Sequence, residues 1–68
     1  MPEFVAKALE AHGLKGAYDA RPPYQRNDYL GWINRAKRIE TKEKRLRIML
    51  AELRDGEGYM NMSWRPRD

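Results

Sequence analysis

The sequence predicts an all-α fold: a small bundle of three to four helices followed by an irregular C-terminal tail. Three observations predict it. Apolar residues recur at i, i+3, i+4 and i+7 in two stretches, Tyr29-Trp32-Ile33-Ala36 and Leu46-Met49-Leu50-Leu53, which places each set on one helical face. Helix-ending signals punctuate the chain at His12-Gly13, Arg21-Pro22-Pro23 and Asp55-Gly56. The 68 residues contain no cysteine, so neither disulfides nor cysteine-ligated metal staples the chain, and apolar burial has to hold it. A chain this short buries only about 60% of the surface it exposes when unfolded, so that core must be efficient.

Pro2 suits a first helical turn, and Phe4, Val5, Ala8 and Leu9 follow at helical spacing, which predicts a short helix over residues 3–11 ended by His12-Gly13. Leu14, Ala17 and Tyr18 give one or two further turns up to residue 20. There Arg21 is pushed out of helical geometry by the proline after it. Pro22-Pro23 then opens a longer helix, expected to reach residue 38, with Tyr29, Trp32, Ile33 and Ala36 on its inner face. Gly31 inside it costs about 1 kcal/mol relative to alanine, or permits the close approach of another backbone.

Arg38 to Glu40 is expected to form a tight connection, with Thr41 as the cap of a last helix over residues 41–54 and Glu43 favourably placed near its positive end. A connection this short makes the two long helices antiparallel. The predicted core is Phe4, Leu9, Leu14, Tyr18, Tyr29, Trp32, Ile33, Ala36, Leu46, Leu50 and Leu53. Trp32→Ala is accordingly expected to cost about 3–5 kcal/mol. Residues 1–56 are read as the helical domain and 57–68 as a tail packed on it, with Tyr59 or Trp64 folding back over the bundle.

Several function classes lose support from composition alone. Met1-Pro2-Glu3-Phe4 lacks the basic start and apolar run of an export signal, which points to the cytoplasm. The longest apolar run, Ile48-Met49-Leu50-Ala51, is far shorter than the ~20 residues of a membrane-spanning helix, so no membrane insertion is expected. His12 is the single histidine, without a partner at ligand spacing, and Ser63 is the single serine, without a base near it in sequence. No phosphate-cradling glycine loop is present. The expectation is therefore a protein that is not an enzyme and uses no metal or cofactor.

What remains is charge. The chain carries a formal +4, and residues 35–47 alone hold seven basic side chains (Arg35, Lys37, Arg38, Lys42, Lys44, Arg45, Arg47) against Glu40 and Glu43. This run reads either as a solvated face, with Glu40–Lys44 and Glu43–Arg47 paired along the helix, or as a face for acidic partners. At the helix connection, Lys37, Arg38, Glu40, Thr41, Lys42 and Arg45 form the candidate binding site. The alternative role for the same residues is structural, with Thr41 and Glu40 satisfying free backbone groups and Lys37 meeting the carbonyl end of the preceding helix.

The string Tyr29-Leu30-Gly31-Trp32-Ile33-Asn34-Arg35-Ala36-Lys37-Arg38-Ile39-Glu40-Thr41-Lys42-Glu43-Lys44-Arg45-Leu46, preceded by Ala17-Tyr18-Asp19-Ala20 and Pro22-Pro23-Tyr24, resembles the bacteriocin-protection, YdeI or OmpD-associated family. The likeness spans about residues 3–55. It rests on a tyrosine, then Trp-Ile, Ala-Lys-Arg and Glu-Thr, then a basic stretch ending in arginine and an aliphatic residue. Two positions depart from the pattern: Ile39 replaces a proline before Glu-Thr, and Gly31 replaces a larger, often charged residue. The resemblance implies a small helical domain, found alone or at the end of larger proteins, in a stress-associated setting. The leading expectation for function is a protein-interaction module with another protein as partner. The alternative is a weak nucleic-acid binder using the basic face of residues 35–47. The sequence leaves the oligomeric state open.

Overall fold

The computed structural model describes residues 1–56, 58 and 59. Among them it contains helices α1 (Glu3–Ala11), α2 (Lys15–Ala20), α3 (Pro23–Arg35) and α4 (Ile39–Asp55), the all-α bundle that the sequence predicts. None of these helices is long and apolar enough to cross a membrane.

Pro2, in extended geometry, starts α1 by offering its carbonyl to the N–H groups of Val5 and Ala6. The end of α1 shows why His12-Gly13 is a stop. Gly13 takes φ 65°, Leu14 N–H donates back to the Leu9 carbonyl at 2.8 Å, and Gly13 N–H donates to Glu10 at 3.1 Å. This pair of bonds is a Schellman closure, and its usual apolar contact is present because Leu9 and Leu14 both lie in the core. The inward line of α1 is Val5 and Leu9, spaced i, i+4. Phe4, expected in the core, lies next to that line and is 41% exposed.

α3 starts at Pro23 as predicted, with the Pro22 carbonyl receiving Gln25 and Arg26. It ends at Arg35 rather than residue 38. Ala36 turns to extended geometry (φ −66°, ψ 127°) and its N–H donates to Ile33 instead of Trp32. The Trp32 carbonyl freed by this turn accepts from Arg45 Nη1 on α4 at 2.6 Å, so a tertiary bond replaces the helical one. The connection is thus residues 36–38, and α4 begins two residues earlier than expected. Arg38, extended at φ −97°, is the capping position and its carbonyl accepts from Lys42. Thr41 therefore sits inside the first turn and does not cap the helix, and Glu40 is the acid of that turn, in the place expected for Glu43. Gly56, at φ 76°, closes α4 as predicted.

Trp32 faces Arg45 and Tyr29 faces Glu52, so α3 and α4 run antiparallel. The buried core is Val5, Leu9, Leu14, Tyr18, Tyr29, Ile33, Ala36, Met49, Leu50 and Leu53. Trp32 and Leu46, expected inside, are half-buried at its margin, and Val5 and Met49 take the central places. Tyr59 folds back onto the core cluster; Trp64 and residues 60–68 of the predicted tail lie outside the described residues, as does residue 57. At Gly31 a Cβ would meet only the Arg35 guanidinium, at 3.4 Å, so this glycine serves no close approach of another backbone.

Candidate functional site

The connection between α3 and α4 brings the six candidate residues to one end of the helix pair, but in different situations. Lys37 and Arg38 stand exposed on the extended connection and Glu40 is exposed on the first turn of α4. Thr41 and Lys42 are half-buried. Arg45, one turn further on, is engaged within the protein: besides its bond to the Trp32 carbonyl, its guanidinium lies 5.4 Å from the Trp32 ring centroid. It closes the carbonyl end of α3, the task that the sequence offered to Lys37, and it shields one face of the indole.

Two features of this end were not legible in the sequence. Ile39, the first residue of α4, is 72% exposed and so places an aliphatic side chain in water next to Lys37 and Arg38. No side chain caps α4, which leaves the partial positive charge of its first turn among cations. The helical ion pairs of the described residues are Lys7–Glu3 and Lys15–Asp19; Glu40–Lys44 and Glu43–Arg47 are not among them. Lys37, Arg38, Lys44 and Arg47 thus keep their charge exposed on this surface.

The opposite end of the helix pair holds a second polar constellation. Arg21, read in the sequence only as the residue that breaks a helix before proline, is 5% exposed. Its Nη1 donates to Gln25 Oε1 at 3.2 Å and to the Gly58 carbonyl at 2.6 Å, while Nη2 donates to the Glu52 carbonyl at 3.0 Å. That last carbonyl belongs to the final turn of α4 and also receives the Gly56 N–H. Arg21 therefore holds the negative end of α4 as Arg45 holds that of α3. Around it, buried Tyr29 donates its hydroxyl to Glu52 Oε1 at 2.5 Å. Tyr59 donates its hydroxyl to Asp28, with its ring packed edge-on against Tyr24 and Tyr29. Burial first, then the bond to the Asp28 carboxylate and its negative charge, raise the Tyr59 phenol well above its ordinary pKa. Burial raises Tyr18 in the same direction.

His12 lies exposed at the end of α1. Among the described residues no three His, Asp or Glu side chains gather to hold a metal ion. The model of the family described as bacteriocin-protection, YdeI or OmpD-associated matches residues 1–56. No curated protein and no solved structure matches the chain.

Proposed function

The chain belongs to the bacteriocin-protection, YdeI or OmpD-associated family, and from that premise we propose that it is a non-catalytic protein-interaction module whose recognition surface is the α3–α4 connection. The observation that carries this reading is Ile39, 72% exposed beside the exposed Lys37 and Arg38. An aliphatic side chain among unneutralised cations complements a protein surface that offers an apolar contact ringed by carboxylates. Covering the isoleucine removes apolar area from water, while the charges steer the encounter and set its register. The family's description, which speaks of bacteriocin protection, supports placing this interaction in a stress response.

The exposed basic residues Lys37, Arg38, Lys44 and Arg47 support nucleic-acid binding as the second reading. Affinity capture from cell extract with the wild type and a Lys37→Ala/Ile39→Ser double variant tests the first. The variant is expected to lose the partner, and equal recovery by both removes the site. Titration with DNA and RNA at two salt concentrations tests the second. Binding that falls steeply with salt and survives Ile39→Ser but not Lys37→Ala/Arg38→Ala would establish phosphate contacts in place of a protein partner. Arg45 is left intact in these variants because its loss would uncap α3.

A further inference from the structure

The start of α3 and the end of α4 frame a surface that is already occupied, and its occupant is specific. Gly58 contributes its carbonyl to Arg21 Nη1 at 2.6 Å. Its φ is 91°, a backbone conformation that selects glycine, and a Cβ there would sit 3.3 Å from Glu52 Cγ, a tight contact with a side chain that can shift. Tyr59 contributes its ring, edge-on to Tyr29 at 5.4 Å and to Tyr24 at 6.1 Å, and its hydroxyl donates to Asp28. Two of the receiving groups are also tied within the helices. Arg21 is buried and fixed by Gln25 and the Glu52 carbonyl, and Tyr29 is fixed by Glu52. All of them lie within residues 1–56, the part matched by the family, whereas Gly58 and Tyr59 lie beyond it.

From this division we propose that Arg21, Tyr24, Asp28 and Tyr29 form a recognition site for an extended Gly-Tyr segment of a partner protein, which Gly58-Tyr59 fills in cis. Arg21 reads the glycine carbonyl, the left-handed backbone at that position favours glycine, and Asp28 reads the tyrosine hydroxyl. Tyr24, still 56% exposed with Tyr59 against it, is the open edge through which an exchanging segment gains contact first. The site is separate from the α3–α4 connection and stands whether or not that surface binds a protein. Because the resident segment follows directly on α4, its effective concentration is on the order of millimolar, and an incoming segment has to compete with it.

The test uses the full chain and the blocked dipeptide N-acetyl-Gly-Tyr-amide, followed by amide chemical shifts. Tyr59→Ala, in which only the Gly58 carbonyl is left to compete, is expected to bind the dipeptide saturably, with shifts at Arg21, Tyr24 and Asp28. The wild type should bind about tenfold more weakly or less, since the resident segment competes. N-acetyl-Ala-Tyr-amide should fail on the same variant, and N-acetyl-Gly-Phe-amide should bind more weakly for want of the bond to Asp28. Tyr59→Phe keeps the ring and hence the packing, so it decides the matter if Tyr59→Ala does not fold; it should fall between the other two proteins. Absence of binding to both variants, equal affinity of wild type and variants, or indifference between the glycine and alanine dipeptides would each overturn the proposal.

Discussion

From a site that is 5% exposed, Arg21 donates to Gln25 and to the main-chain carbonyls of Glu52 and Gly58, the last two in segments more than thirty residues away. A buried guanidinium tolerates that position only because each of these acceptors is in place. Arg21→Ala is therefore expected to cost about 1.5–3 kcal/mol, the range for hydrogen bonds to a charged group. Arg21→Lys should recover less than half, because an ammonium cannot span the forked geometry. Urea denaturation of the three proteins measures both. Apolar residues reorder in a similar way. Met49 is fully buried and Trp32 half-buried under Arg45, so Met49→Ala, at about 2–5 kcal/mol, should destabilise more than Trp32→Ala. The sequence points the other way, since it ranks side chains by size and period and a tryptophan outranks a methionine. Which of two adjacent apolar residues faces inward, as with Phe4 and Val5, depends on where the other helices lie, and periodicity in a nine-residue helix leaves that phase loose.

Helix identities were readable because each is bounded by a residue with a strong backbone preference: Pro2, Gly13, Pro23 and Gly56 all sit where their chemistry puts them. The α3–α4 boundary lies two to three residues before the place that the sequence predicts, because no such residue marks it. Its position is set by Ala36 turning into the core and by Arg45 taking the Trp32 carbonyl, a contact thirteen residues away in sequence. The same geometry gives two stability predictions. Ile39 is the first residue of α4 and the preceding Arg38 is already extended, so a proline fits both positions without strain. Ile39→Pro, which restores the residue that the family pattern places before Glu-Thr, should stabilise by about 0.4–1 kcal/mol through the unfolded chain. Gly31→Ala should add about 0.5–1 kcal/mol, since the new methyl meets only the movable end of Arg35 at 3.4 Å. Thermal melts of each variant provide the check, and a lower midpoint for Ile39→Pro would mean that the helix start lies elsewhere.

Across the whole molecule, each long helix ends on an arginine delivered from elsewhere: Arg45 of α4 on α3, and Arg21 from the α2–α3 junction on α4. The basic excess of the sequence, read there as one surface, is thus divided between internal ties and exposed charge around Lys37 and Arg38. Composition cannot reveal that division, because an arginine facing a helix carbonyl and one facing water are the same letter. The tie at Arg21 extends to Gly58 and so brings Tyr59 under the control of pH. Its phenol is raised above its ordinary value of 10.0 by burial and by Asp28, so the folded protein holds that proton more tightly than the unfolded chain. The corresponding stability is complete below about pH 10 and declines as pH rises through the raised value. The wild type should therefore weaken more than Tyr59→Phe between pH 8 and pH 11. Tyr18, raised by burial, acts equally in the two proteins and cancels in their difference. Denaturation midpoints at the two pH values give that difference directly, and an equal loss in both proteins would show that the Tyr59 hydroxyl does not hold the segment in place.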